Sequence, residues 1–371
     1  MTHNAGLASR AYFRADASTV IGTGHVMRCL TLADGLRRHG MESIFVCRKL
    51  PGHLGDYIRD KGYKVELIET SAEEFRFEED AAATRVIVEQ SSAPVDWLIV
   101  DHYGIDREWE AALRPFADRI LVIDDLANRP HECDFLLDQN AYDRMGMRYD
   151  GLVPLTCRQL LGPHYLLLRP SFYEARRTLQ ARAGDLQRLL IFFGGSDPTN
   201  ETSKALQALA EYQRSPSPLY HVDVVIGSSN PIRQEIVAVC DGLPGVKLHV
   251  QAENMAELIE NADFALGAGG VAMWERCYLG LPTAVTVVAD NQAESVQFAV
   301  KKGAVEFLGR SGDVSGTNYY EAIRRAVESP ATLMEMSRRA FELTNSVADR
   351  TESLVLSAML ALDTISYKGR A

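Results

Sequence analysis

Three stretches of this sequence carry residue types at spacings suited to holding a phosphorylated ligand. The first is Ile21-Gly22-Thr23-Gly24-His25-Val26-Met27-Arg28, which lies between an apolar run at Ala11-Tyr12-Phe13 and a helical periodicity at Val26, Leu30, Ala33 and Leu36. A helix N-terminus offers unpaired backbone N–H groups and a partial positive charge to an anion, and glycines let the backbone approach a ligand closely. The stretch therefore reads as a phosphate or diphosphate site, or as a plain tight turn beside a histidine. Arg28, one turn after His25, is placed to address a phosphate or an amide oxygen, or else to stand in solvent. The second stretch, Gly194-Gly195-Ser196-Asp197, follows the apolar run Leu189–Phe193, and Thr199 or Asn200 is the expected cap of the next helix. Capping leaves the two glycines and Asp197 over, which points to close backbone contact with a ligand.

The third stretch is the densest: Gly267-Ala268-Gly269-Gly270-Val271-Ala272-Met273-Trp274-Glu275-Arg276-Cys277, followed by Gly280-Leu281-Pro282 and Asn291-Gln292. Peptide N–H groups from Val271 and Ala272 onward can hold a diphosphate beside Gly269 and Gly270, and Glu275, one turn in, can accept hydrogen bonds from both hydroxyls of a ribose. Asn291 and Gln292 read as binders of sugar hydroxyls or amides, or as a helix cap. Trp274 reads as a packing aromatic. Together these residues describe a nucleotide-sugar pocket. Neither a Walker A loop nor a dinucleotide fingerprint follows any apolar run, which argues against NTP hydrolysis of that type and against NAD.

The elements that must position these stretches come in two series. Runs at 11–13, 43–48, 64–68, 97–101, 119–123 and 134–138 read as strands separated by helices. The pattern restarts at 188–193, 221–226, 246–250, 263–267, 283–287 and 304–307. An irregular stretch from Asp143 to Arg182, with Pro154, Gly162, Pro163 and Pro170, reads as the linker. The fold class is therefore α/β: two Rossmann-like units, over 1–160 and 161–371, facing across a cleft. A terminal helix over 347–365 is free to pack back across either unit. Ligands of open parallel sheets sit at the carboxyl ends of strands, and the three stretches fall there, as do Asp16, Asp101-His102-Tyr103-Gly104 and Asp124-Asp125.

At 371 residues, with 46% hydrophobic content, the chain can fill two cores. A formal charge of −11 argues against a nucleic-acid or anionic-membrane surface. The six cysteines show no C-x-x-C pair and read as reduced, buried thiols. No basic-then-apolar leader and no run of about 18 apolar residues is seen, so a cytoplasmic protein without membrane insertion is expected.

The carboxy-terminal arrangement of a G-G loop, a glutamate-bearing helix, G-L-P and N-Q resembles glycosyltransferases of the two-Rossmann, GT-B type. A more specific resemblance runs in order over residues 10 to 310. Arg14-x-Asp16-x-Ser18, Ile21-Gly-x-Gly-His25-x-x-Arg28, Val100-Asp-His-Tyr-Gly-Ile105, Cys133-Asp-x-Leu-Leu with Asn140-Ala-Tyr142, Gly194-Gly-Ser-Asp197, Ser228-Ser-Asn-Pro231 and Trp274-Glu-Arg-Cys277 are similar to the UDP-sugar hydrolases of pseudaminic acid biosynthesis. That resemblance implies a UDP-linked diacetamido-trideoxy sugar as substrate and UDP as product, with water attacking the anomeric carbon and configuration inverting. Tyr103 matches the family's active-site tyrosine.

No cofactor and no metal ion is implied. A diphosphate already leaves readily, and helix N-termini can stabilise its charge. The water needs a base, for which His25 is the candidate, with Asp16 or Asp101 to orient its ring. The alternatives are a GT-B glycosyltransferase using a UDP-amino sugar and a non-catalytic nucleotide-sugar sensor.

Overall fold

A computed structural model describes residues 9–70, 75–215, 219–344 and 351–367. The alternation of apolar runs and amphipathic segments folds into two parallel sheets. The first contains β1 (Arg10–Ala15), β2 (Glu42–Arg48), β3 (Lys64–Ile68), β4 (Trp97–Asp101), β5 (Arg119–Ile123), β6 (Phe135–Asp138) and β7 (Arg158–Leu161), in the order β3-β2-β1-β4-β5-β6-β7. The second contains β8 (Arg188–Phe192), β9 (His221–Ile226), β10 (Val246–Val250), β11 (Phe264–Ala268), β12 (Thr283–Val287) and β13 (Glu306–Arg310), in the order β10-β9-β8-β11-β12-β13. Each sheet belongs to a compact unit. Unit 1 takes Met1–Gln139, Arg144–Leu167 and Glu352–Ala371; unit 2 takes Asn140–Asp143 and Leu168–Thr351.

Both faces of each sheet are covered, so the central strands are apolar almost throughout. In β1, Ala11, Phe13 and Ala15 point into one core with Val26, Leu30 and Leu36 of the helix Gly24–Arg38, while Tyr12 enters the opposite core with Leu98, Val100 and Trp109. In unit 2, Leu189, Ile191, Leu206, Leu209, Phe264 and Leu266 form the corresponding cluster. The terminal helix runs over Leu354–Tyr367, with 347–350 of the expected helix lying outside the described residues. Its Val355, Leu356 and Met359 join the Val26–Leu36 core, and Gly35 leaves room for Leu356, whose Cδ2 would lie 3.0 Å from a Cβ there.

The stretch from Asp143 to Arg182, expected to be irregular, holds β7 and the helix Pro170–Thr178. Strand β7 is four residues long, Arg158-Gln159-Leu160-Leu161, with one fully buried side chain; an edge strand this short leaves no apolar run to read.

Each sheet has one place where successive connections diverge. Strand β1 has β2 on one side and β4 on the other, and β8 is flanked in the same way by β9 and β11. At such switch points the crossover helices leave on opposite faces and open a crevice beyond the strand ends. Register pairs Ala15 with Asp101 in unit 1 and Phe192 with Gly267 in unit 2, so the loops after each pair start side by side.

Candidate functional site

In unit 1 the switch point carries a closed group of five side chains. The helix Gly24–Arg38 starts after the turn Ser18–Gly22, where Ser18 Oγ accepts the N–H groups of Val20 and Ile21. Thr23 at its N-cap contributes no side-chain bond and no acidic residue occupies its first turn, so the leading amides stay uncapped. His25, on that first turn, is 8% exposed, and its Nδ1 lies 2.5 Å from Oδ1 of Asp101, the last residue of β4. Arg28 donates from Nε to Oδ2 of Asp101 and from Nη2 to Oδ1, both at 2.6 Å. Its Nη1 lies 3.6 Å from Asp125 Oδ2, and the hydroxyl of Tyr103 donates to Asp125 Oδ1 at 2.8 Å. The Tyr103 ring meets the His25 ring edge-on, with centroids 4.6 Å apart.

Burial and charge act against each other at Asp101 and Arg28. Burial works against the charge on Asp101, but the Arg28 guanidinium and His25 outweigh it and hold the carboxyl well below its usual range. Arg28 is stabilised as a cation in the same way, since Asp101 and Asp125 overcome its own burial. An ionised Asp101 has only lone pairs to offer, so the short contact to its Oδ1 places a ring proton on Nδ1 of His25, and Arg28 Nη2 lies 3.3 Å from the same nitrogen. Burial, reinforced by Asp125, pushes the Tyr103 phenol up, so it is a hydrogen-bond donor and not a phenolate.

Asp16, expected among the catalytic residues, belongs to a different group. Its Oδ1 accepts Arg14 Nη1 at 2.6 Å and the Arg48 amide at 2.8 Å, and its Oδ2 accepts Arg48 Nε at 2.7 Å. Of the two carboxylates considered for orienting His25, Asp101 makes the bond. His102 joins Asp16 through Nε2 at 3.2 Å while its Nδ1 accepts the Gly104 N–H at 3.0 Å. Burial lowers the His102 pKa, with its bond to Asp16 opposing, so this imidazole stays neutral and structural. Arg28, offered by sequence as a solvated cation or a phosphate contact, is buried and bound to carboxylates. Asp125 carries one signal in the sequence, its position just beyond β5, and that signal assigns it no role.

In unit 2 the loop after β8 is built from within. Asp197, with φ +42°, caps the helix Glu201–Tyr212: its carboxylate accepts the amides of Glu201 at 3.0 Å and Thr202 at 2.8 Å. Asn200 occupies the N-cap position without a side-chain bond, and Thr199 is not the cap either. The Gly195 carbonyl accepts the Gly227 amide at 2.8 Å, and Ser196 is held through its carbonyl by Asn230 Nδ2 at 3.3 Å. Gly194 and Gly195 are partly exposed at the strand end.

The loop after β11 has a different construction. Gly270, with φ +70°, is the N-cap of the helix Val271–Tyr278 and supplies no cap, so the amides of Val271 and Ala272 point outward without an intrahelical partner. Gln292 backs this turn: its Oε1 accepts the Val288 amide at 3.1 Å, and its Nε2 lies 3.5 Å from where a Cβ on Gly270 would be. Asn291 sits beside it in the one-turn segment Asp290–Gln292. A Cβ on Gly269 would lie 2.8 Å from Val296.

Arg276, 1% exposed, donates from Nη2 to the Ala268 carbonyl; burial lowers its pKa to about 10, so it remains a cation. Glu275 is half-buried, and among the described residues its carboxylate makes no hydrogen bond. Burial raises its pKa, with Arg169 and Arg276 opposing. Trp274 is core, its Nε1 donating to Asn140 Oδ1 at 2.7 Å.

No protein-family model matches the sequence. The chain is similar to the UDP-2,4-diacetamido-2,4,6-trideoxy-beta-L-altropyranose hydrolase of Campylobacter jejuni, with 28% identity over 301 residues, 79% of this chain and 97% of that protein. It is also 25% identical over 293 residues, 77% of its length, to an uncharacterized protein of Methanocaldococcus jannaschii, of which it spans 57%. Among solved structures, MurG of Acinetobacter baumannii matches over 95% of this chain and 99% of its own, with a TM-score of 0.61 at 13% identity. The fold is the two-Rossmann, GT-B fold. The resemblance read from motifs is thus matched by similarity along most of the chain. Among the described residues no helix is long and apolar enough to cross a membrane.

Proposed function

We propose that this protein hydrolyses a UDP-linked 2,4-diacetamido-2,4,6-trideoxy sugar to free sugar and UDP. The uncapped amides of Val271 and Ala272, with the Arg276 cation behind them, hold the diphosphate, and the unpartnered Glu275 carboxylate takes the ribose hydroxyls. Gly194, Gly195 and Ser196 contribute backbone contacts, and Asn291 and Gln292 polar ones. In unit 1, Gly24 and the open helix N-terminus admit the sugar end, His25 removes a proton from water, and Tyr103 contacts the sugar or the water.

The water oxygen bonds to the anomeric carbon from the face opposite UDP, the C1–O bond breaks with its electron pair leaving on UDP, and Nε2 receives the proton. The growing phosphate charge meets fixed N–H dipoles that need no reorganisation. The observation that supports this reading is the Nδ1–Asp101 contact, which engages one ring nitrogen with a carboxylate; in the reading, Nε2 is the proton acceptor. The similarity to the Campylobacter hydrolase supports the substrate class.

The GT-B fold shared with MurG favours a second reading, transfer of the sugar to an acceptor. Incubating the purified protein with the UDP-linked sugar alone, followed by proton and phosphorus NMR, separates the two. Free reducing sugar and UDP are expected in equal amounts. Turnover that waits for an added acceptor would establish a transferase, and UDP binding without turnover would establish a sensor.

A further inference from the structure

Arg28 makes contacts that a substrate-binding arginine has no reason to make. One edge of its guanidinium is spent on a single carboxylate: Nε–H on Oδ2 and Nη2–H on Oδ1 of Asp101, each at 2.6 Å. The third nitrogen faces Asp125 at 3.6 Å, and the side chain is 5% exposed. Asp101 in turn is fully buried and gives Oδ1 to His25, with Cys29 Sγ at 3.6 Å from Oδ2. Asp125 gives Oδ1 to the Tyr103 hydroxyl, and the Tyr103 ring closes the circuit on His25. Every bond in this circuit lies within unit 1, and Arg28 spans both carboxylates.

We infer that Arg28 is a positioning residue: its fork locks Asp101 so that Nδ1–H of His25 has one place to go, and through Asp125 it sets Tyr103 against the same ring. This rests on the reading of His25 as the base. The fork explains the residue type, because a planar guanidinium grips both oxygens of a carboxylate at once whereas an ammonium holds one point. Without the fork, a buried Asp101 gains a proton or turns toward solvent. His25 then loses the acceptor that selects its tautomer, and a proton on Nε2 removes the lone pair that water needs.

The test combines kinetics, UDP affinity and nitrogen NMR of the His25 ring in histidine-labelled protein, with His25→Asn identifying the resonance. In the parent protein the ring is expected to be protonated on Nδ1 and bare on Nε2; a ring protonated on Nε2 there overturns the inference without any variant. Arg28→Lys is expected to lose the Nδ1–H signature and to lower kcat by 10- to 100-fold, with the UDP dissociation constant changed less than 2-fold. If UDP affinity falls in step with kcat, Arg28 is a ligand contact and the inference fails. It fails equally if the variant keeps both the signature and kcat.

Should Arg28→Lys not fold, Asp125→Asn supplies the second variant. It is expected to lower kcat by a smaller factor and to shift the Tyr103 ring signals, and an unchanged Tyr103 environment with unchanged kcat counts against the circuit. The ring measurement needs no substrate. Absence of hydrolysis with the Nδ1–H signature present in the parent and lost in Arg28→Lys would defeat the proposed reaction and leave the positioning role standing.

Discussion

Replacing Asp101 by asparagine removes one charge and almost no volume, yet it leaves three donors competing for a single acceptor. The carboxylate serves His25 Nδ1 and Arg28 Nη2 on Oδ1, and Arg28 Nε on Oδ2. An amide has one acceptor oxygen. With that oxygen in the Oδ1 position, the amide NH2 confronts Arg28 Nε–H; with it in the Oδ2 position, the NH2 confronts Nδ1 and forces the ring proton onto Nε2. Either arrangement leaves Arg28 with Asp125, 3.6 Å from Nη1, as its counter-charge in place of the bidentate carboxylate, and breaking one side of a buried ion pair costs about 3–5 kcal/mol of stability. Placing an amide behind a catalytic imidazole lowers kcat by up to about 10⁴-fold, and a factor on the order of 10²–10⁴ corresponds to about 3–5 kcal/mol of barrier. The assay is initial-rate UDP release at saturating substrate, with UDP affinity by calorimetry as the control. A kcat loss in that range at unchanged UDP affinity is expected. An Asp101→Asn protein within 3-fold of the parent in kcat would refute the idea that this carboxylate selects the His25 tautomer.

The same contacts set further outcomes. Glu275→Ala should weaken UDP binding about 10-fold, the worth of a charge-assisted hydrogen bond at about 1.4 kcal/mol, and an unchanged calorimetric affinity would remove Glu275 from the ribose site. EDTA should leave the rate unchanged because backbone amides are proposed to carry the leaving-group charge; inhibition that Mg²⁺ restores would show otherwise. Stability should fall with acid in two stages. His102 protonates less readily folded than unfolded, so its contribution is present above the ordinary value of 6.5 and is lost below it. Asp16 and Asp101, whose pKa values are depressed, contribute above 3.8 and lose that contribution below it. Urea midpoints of His102→Gln should lack the upper stage, and an identical slope between pH 6.5 and 5 in variant and parent would contradict this assignment.

Most of the strands could be read from sequence: 97–101 and 119–123, almost wholly apolar and buried, coincide with the central strands β4 and β5, and 64–68 and 246–250, where apolar and polar residues mix, coincide with the edge strands β3 and β10. Strand β7 could not, since its four residues, Arg158-Gln159-Leu160-Leu161, neither alternate nor form an apolar run. The helix cap at Asp197 escaped for a related reason: cap preferences name Asn200, whose backbone instead turns left-handed at φ +57° so that a residue three positions earlier reaches the amides. At the switch point of unit 1, the histidine, the tyrosine and the aspartates were visible as residue types beyond strand ends. Their partnerships were not. His25 and Arg28 meet Asp101 across 76 and 73 residues, and only the β1–β4 register brings those positions together, handing Asp101 to His25 and Asp16 to His102.

Hydrolysis in ¹⁸O-labelled water tests the central claim most directly, with parent and His25→Asn proteins run side by side and the products weighed by mass spectrometry. The account predicts one heavy oxygen on the released sugar, unlabelled UDP, and no release by the variant although it still binds UDP. Heavy oxygen in the UDP, or normal turnover by His25→Asn, would contradict attack at the anomeric carbon by water that His25 activates.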